Sequence, residues 1–99
     1  MNASTVDILG EVTSSIREEL SHQRANGVPL KTAWHAVARA LGCISPRRAK
    51  AIHYGEVSEE DIRAREWIAA TELRNRRRRA RIAAARALLA QENPHEPNP

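Results

Sequence analysis

The sequence predicts an all-α fold: a compact helix-turn-helix bundle of about four helices with a long basic C-terminal helix. Three observations indicate this class. Apolar residues recur at steps of three and four, which is the spacing of one helix face. Glycine and proline fall mostly in short stretches between these periodic segments. Alanine and arginine, two strong helix formers, dominate the stretch between Ser58 and Pro94.

The first helix is expected to begin near Thr5, with Ser4 or Thr5 as its N-cap and Asp7 in its first turn. Its apolar face would consist of Ile8, Leu9, Val12, Ile16 and Leu20. We expect three charged residues to lie largely off that face: Arg17, Glu18 and Glu19. Gly27 and Pro29 should end the helix, because glycine accepts a left-handed cap and proline cannot continue it.

The second helix is predicted to run from Leu30 to Gly42, and the third to follow Ser45 and end at Gly55. Ser45 is a good N-cap, and Pro46 suits the first helical position. The apolar face of the second helix would consist of Leu30, Trp34, Val37, Ala38 and Leu41. In the third helix Ala49 and Ile52 should face inward, and the outward side chains would be Arg47, Arg48, Lys50, His53 and Tyr54.

A fourth helix of about 30 residues is expected to follow Ser58, which forms an approximate capping box with Asp61. Its apolar seam would consist of Ile62, Ala69, Leu73, Ala80, Ala84 and Ala87, and Arg76 and Arg77 interrupt it. We therefore expect the first half to close the core and the second half to project outward. The predicted organisation is a flexible N-terminus (1–4), a helical domain (5–73) with a helix-turn-helix (30–55), an arginine-rich helix extension (74–92) and a disordered tail (93–99).

The composition limits the classes of function. The formal net charge is +4 and the pI about 10.2, which directs attention to polyanions such as nucleic acid. One cysteine, Cys43, excludes an intrachain disulfide and makes a structural zinc site improbable. No signal peptide, membrane span, catalytic set, phosphate-binding loop or metal-ligand spacing is recognisable. We expect a cytoplasmic protein that is not an enzyme and uses no cofactor, metal or membrane.

The second and third helices predict a DNA-binding site, because a short helix that carries donors outward is the usual element placed in the major groove. The side chains expected to bind DNA are Lys31, Ser45, Arg47, Arg48, Lys50, His53 and Tyr54. Arginine and lysine pair with guanine or with phosphates, and Ser45 can present a hydroxyl or backbone N–H to a phosphate. The alternative is that both helices belong to a plain helical bundle whose basic residues are solvated.

About 25 residues of this region resemble the helix-turn-helix of phage repressors of the Cro type. The resemblance is carried by Ala38, by Leu41-Gly42 entering the turn, and by the ending Ala51-Ile52-His53-Tyr54-Gly55. It implies that Ala38 lies where the two helices cross and that Gly42 forms the turn. One departure is that Arg48 stands where such motifs bury a branched residue, and the nearest inward candidate is Ala49.

The stretch from Arg74 to Arg81 contains six arginines in eight residues. We expect these side chains to contact the nucleic-acid backbone: Arg74, Arg76, Arg77, Arg78, Arg79 and Arg81. The run also resembles the arginine-rich RNA-binding helix of lentiviral Rev proteins, which would imply specific RNA recognition. A merely solvated helix face is the third alternative.

The leading hypothesis is a transcriptional regulator from a phage or other mobile element that binds double-stranded DNA as a homodimer. Only 19 residues are Leu, Ile or Val, so the monomer core is thin, and Ile82, Leu88 and Leu89 would form the dimer contact. A second hypothesis is a protein-interaction module that docks on a partner in the transcription machinery. A third is an arginine-rich RNA-binding or antitermination factor.

Overall fold

The computed structural model describes residues 6–92 and confirms the all-α class. It contains α1 (Ile8–Ala25), α2 (Leu30–Leu41), α3 (Pro46–His53) and α4 (Ala64–Glu92), with a 3₁₀ turn at Glu59–Asp61 before α4. No strand occurs within this part of the chain. The predicted flexible N-terminus, the caps Ser4 and Thr5, and the predicted disordered tail lie outside the described residues.

Helix α1 begins at Ile8, with Asp7 as its N-cap. The Asp7 carboxylate accepts a hydrogen bond from the backbone N–H of Gly10 at 2.9 Å, which satisfies one of the free donors of the first turn. The predicted start near Thr5 was therefore early, because Asp7 caps the helix from outside instead of lying in its first turn.

The core lies where α1, α2, α3 and the first half of α4 meet. Its buried apolar side chains are Val12, Ile16, Trp34, Val37, Leu41, Ala49, Ile52, Ala70 and Leu73. Two expectations about which side chains of α1 and α2 are buried were wrong. Glu19 is buried, at 2% exposure, although its charge predicted an exposed position, and Leu30 is 47% exposed although it fits the apolar spacing of α2.

The connection between α2 and α3 follows the predicted caps. Gly42 ends α2 in the left-handed conformation, with φ at 81°, and its N–H donates to the carbonyl of Ala38 at 2.9 Å. Ser45 caps α3 by accepting the N–H of Arg48 at 3.1 Å. These two caps set where α3 starts relative to α2.

Replacing Gly42 with alanine is expected to lower the free energy of unfolding by about 1 kcal/mol, because a side chain strains the left-handed backbone. Urea denaturation would measure the loss. Gly42→Asn is the matched control and should cost less, since asparagine tolerates this conformation better. Equal losses for the two variants would contradict the conformational explanation.

Helix α4 starts at Ala64, later than the predicted capping box. The Ser58 hydroxyl donates to the Asp61 carboxylate at 2.9 Å, but the backbone then becomes extended at Ile62 and the 3₁₀ turn ends. The carboxylate of Glu66 accepts the backbone N–H of Arg63 at 2.9 Å. Glu66 thus makes the reciprocal half of a capping box at the true start of α4.

The two halves of α4 have different surroundings. Its buried residues are Glu66, Ala70 and Leu73, and Arg77 is partly buried. Every residue from 78 to 92 is exposed. The packed part thus extends to Arg77, past the predicted boundary at residue 73, and the rest of α4 projects from a molecule with extents of 60 × 42 × 18 Å.

Candidate nucleic-acid interface

Helix α3 turns one side toward the core and another toward solvent. Ala49 and Ile52 are 0% and 1% exposed and pack in the core. Arg47, Lys50 and Tyr54 are exposed and recur at steps of three and four residues. They therefore lie along one outer face of α3.

An open groove of about 770 Å³ separates this outer face from the first turns of α2. Six of the seven predicted DNA-binding residues line it: Lys31, Ser45, Arg47, Arg48, Lys50 and Tyr54. Trp34, Pro46 and Ala51 supply apolar wall, and His35 and Glu56 complete the lining. The fold thus brings Lys31 of α2 to the same groove as the basic side chains of α3.

Arg48 differs from the other groove residues because its guanidinium is already paired. Its Nε and Nη2 atoms donate to the two carboxylate oxygens of Glu66 at 2.9 and 3.0 Å, and Nη2 also donates to the carbonyl of Asp61 at 2.7 Å. Arg48 therefore does not point freely outward as expected. It ties α3 to the start of α4, and the next residue, Ala49, is fully buried in the core.

The Arg48–Glu66 pair keeps both groups charged. Burial of Glu66 opposes its ionisation, but hydrogen bonds from Arg48 and from the Arg63 N–H outweigh that effect, so the pKa of Glu66 lies below its usual value. The hydrogen bonds to Glu66 likewise raise the pKa of Arg48, against a smaller opposing effect of burial. This pair is a fixed ionic connection within the domain.

His53 lies behind the groove and does not line it. Its ring packs edge-on against Trp34 and Tyr54, with centroids 5.4 and 4.8 Å apart. Its Nδ1 atom is buried and has no hydrogen-bond partner among residues 6–92. Burial, with a smaller contribution from the charge of Arg17, lowers the pKa of His53, so the ring is neutral at pH 7. His53 supports the position of Tyr54 and offers no positive charge to a ligand.

The arginine run divides into two groups. Three side chains contact the domain: Arg74 lies 3.6 Å from Glu18, Arg76 donates to the carbonyl of Ala40 at 3.0 Å, and Arg77 pairs with Glu19 at 2.6 Å. The other three have no ion pair or hydrogen bond within residues 6–92: Arg78, Arg79 and Arg81. The predicted dimer-contact residues Ile82, Leu88 and Leu89 are exposed on the projecting half.

Glu19 and Glu66 are the important residues that sequence reasoning missed. Glu19 follows Val12 and Ile16 at helical spacing, so periodicity alone places it on the core face of α1. Glu66 carries no comparable signal, because a capping box has Ser or Thr three residues before the Glu and Arg63 stands at that position. A charged residue is buried only when a partner is supplied, and the partners Arg77 and Arg48 are distant in sequence from Glu19 and Glu66.

Residues 6–92 contain no group of three or more histidine, cysteine, aspartate or glutamate side chains that could hold a metal ion. No helix in that part of the chain combines the length and the apolar character required to cross a membrane. Comparisons of the chain with protein-family models, with curated proteins and with solved structures found no match.

Proposed function

We propose that this chain is a sequence-specific DNA-binding regulator of transcription that places α3 in the major groove. The observation that carries the proposal is the shared groove of α2 and α3, where donors from both helices meet on one side of the molecule. Arg47 and Lys50 would contact base edges or phosphates, and Lys31 would contact a phosphate beside them. Arg48 would position α3 through Glu66 without touching DNA.

The dimensions of α3 suit this role. An α-helix with its side chains is about 10–12 Å across, which fits the roughly 12 Å width of the major groove, and the eight residues of α3 give a length of about 12 Å. Its N-terminus carries the Ser45 cap and the exposed side chain of Arg47, and a helix N-terminus favours phosphate. The two-fold DNA site, the homodimer and the origin in a mobile element stay predictions of the sequence.

Arg47→Ala and Lys50→Ala are each expected to weaken binding to the selected DNA sequence by roughly 1–3 kcal/mol if these side chains read bases. The target would first be identified by selection from a random duplex library at physiological salt. Arg39→Ala is the matched control, because Arg39 is exposed on α2 and lies outside the groove. It removes the same charge and should leave sequence preference unchanged.

Two results would contradict the proposal. One is salt-sensitive binding without any enriched sequence, which would indicate non-specific attraction of a basic protein to DNA. The other is an equal loss in Arg47→Ala and Arg39→Ala, which would place the interface elsewhere. A preference for hairpin RNA over duplex DNA in direct competition would favour the RNA-binding alternative.

A further inference from the structure

Four side chains on the side of α4 opposite its buried residues lie seven residues apart. These are Ile68, Asn75, Ile82 and Leu89, which we name the outer seam. Ile68 is 55% exposed, Ile82 44% and Leu89 59%, and Asn75 is exposed as well. The three apolar members are exposed, and Asn75 also borders an open pocket that it shares with Glu11 and Glu18 of α1.

The outer seam is distinct from the side of α4 that packs in the core. The buried residues of α4 are Glu66, Ala70 and Leu73. Ile68 is two residues from both Glu66 and Ala70, which places it about 200° around the helix from each. On a straight helix this spacing drifts by about 20° per repeat, so Leu89 lies about 60° around the axis from Ile68 and still away from the core side.

Helices that pack along one another repeat two contact positions in every seven residues. The outer seam supplies one of the two, and the other is occupied by Thr71, Arg78 and Ala85. From Ile68 to Leu89 the seam covers three repeats, or about 32 Å of helix. Asn75 is the one polar member, and a single amide within such a seam selects the register of the partner helix. The seam therefore fits a helical partner whose apolar side chains cover Ile68, Ile82 and Leu89 and which places a carboxylate opposite Arg78.

The charges beside the seam are all positive along the projecting half of α4 until Glu92. Arg78, Arg79, Arg81 and Arg86 are exposed, and no carboxylate within residues 6–92 pairs with them. These four side chains are distributed on both sides of Ile82 and Leu89. A partner helix that packs on the outer seam would contact apolar side chains flanked on both sides by arginines.

A second copy of the chain fits this arrangement poorly. In a parallel pair, Arg78 would face its own counterpart across the seam, and Arg81 would lie beside Arg86 of the other copy. An antiparallel pair changes which arginines meet but leaves most of the flanking contacts positive. Like charges at such contacts oppose pairing, so the predicted homodimer is not favoured through Ile82 and Leu89.

Binding of nucleic acid would satisfy only part of the outer seam and its flanking arginines. Phosphates would neutralise the arginines, but they would leave Ile68, Ile82 and Leu89 exposed to water. We propose that the outer seam binds an acidic amphipathic helix of another protein, whose apolar side chains cover the seam and whose carboxylates pair with the flanking arginines. This site is separate from the α2–α3 groove and does not require DNA binding.

The test uses the full chain and a synthetic helical peptide of three heptads, with apolar residues along one line, asparagine opposite Asn75 and glutamate at the flanking positions. A peptide of identical composition with a scrambled order is the control for charge. Binding is measured by fluorescence anisotropy at physiological salt. We expect the ordered peptide to bind about tenfold or more tightly than the scrambled one, because only it covers the seam.

Variants of the chain locate the site. Leu89→Gln with Ile82→Gln should weaken peptide binding about tenfold or more, whereas Leu30→Gln, an exposed leucine on α2, should leave it unchanged. All three residues are exposed, so the variants should fold normally by circular dichroism. DNA binding should survive the seam changes, and peptide binding should survive Arg47→Ala.

Four outcomes would overturn the inference. If the ordered and the scrambled peptide bound equally well, the interaction would depend on charge alone. If the seam variants bound the ordered peptide as well as the wild type does, the binding site would lie outside the outer seam. Self-association in sedimentation equilibrium that Ile82→Gln and Leu89→Gln abolish would make a second copy the occupant. Loss of duplex or hairpin binding in the same variants would make nucleic acid the occupant.

Discussion

Glu66→Ala is expected to lower the free energy of unfolding by roughly 3 kcal/mol, the low end for one partner of a buried ion pair. Glu66 is 2% exposed and accepts hydrogen bonds from Arg48 Nε, Arg48 Nη2 and the Arg63 N–H. Alanine would leave Arg48, whose side chain is only 21% exposed, without its carboxylate. It would also remove the cap at the start of α4. Urea denaturation monitored by circular dichroism measures the change.

Two controls separate the ion pair from general effects. Glu60→Ala removes a nearby exposed carboxylate and should change stability by less than about 0.5 kcal/mol. Arg48→Met combined with Glu66→Gln removes both charges, while glutamine can still accept the Arg63 N–H. That double variant should recover most of the stability, because neither charge is left unpaired. It should also keep sequence-specific DNA binding, and loss of specificity despite normal folding would make Arg48 a DNA contact.

Glu19→Ala is expected to lower the free energy of unfolding by roughly 2–3 kcal/mol, between the values for exposed and fully buried pairs. Its carboxylate accepts hydrogen bonds from Arg77 Nε at 2.8 Å, Arg77 Nη2 at 2.6 Å and Gln23 Nε2 at 3.0 Å. The Arg77 side chain is 31% exposed, so water relieves part of the loss. Thermal and urea unfolding would both report the change.

The neighbouring pair is a matched control for Glu19. Glu18 and Arg74 join the same two helices at 3.6 Å, but their side chains are 45% and 42% exposed. Glu18→Ala should therefore cost less than about 1 kcal/mol. Equal losses for Glu18→Ala and Glu19→Ala would show that burial does not determine the strength of the Glu19–Arg77 contact.

The contribution of Glu19 should also depend on pH. Burial opposes its ionisation, but hydrogen bonds from Arg77 and Gln23 outweigh burial and hold the pKa of Glu19 below its usual value of 4.5. A carboxyl with a lowered pKa stabilises the fold at pH values above that usual value, and the stabilisation disappears as the pH falls through the pKa of the folded state. The difference between the wild type and Glu19→Gln should be complete at pH 7 and shrink below about pH 4.5. A constant difference through that acidic range would contradict this account.

Local signals in the sequence predicted the order and most of the limits of the helices. Gly42, Ser45 and Pro46 act on neighbouring backbone groups, so their effect can be derived without knowing the rest of the fold. The start of α4 was less predictable, because Ser58 and Glu66 both offer caps within one short stretch. Packing selected the later one, where Glu66 can cap the helix and also reach Arg48.

The same distinction applies to the candidate interface. Sequence spacing predicted five outward side chains on α3, because a helix period relates residues that are close in the chain. Arg47, Lys50 and Tyr54 are exposed as predicted, whereas Arg48 and His53 are partly buried. Spacing could not bring Lys31 to the outer face of α3, since its position depends on how α2 packs against α3.

The sequence by itself determined an all-α chain with a short basic third helix and six arginines within one stretch of a later helix. Only the tertiary structure decided which of those charges are available to a partner. Arg48 and Arg77 are paired with buried carboxylates, whereas Lys50 and Arg79 are exposed. The physical reason is that an arginine is unavailable to a partner when the fold pairs it with a carboxylate. Glu66 is 18 residues from Arg48 along the chain, and Glu19 is 58 residues from Arg77, so sequence spacing does not reveal either pair.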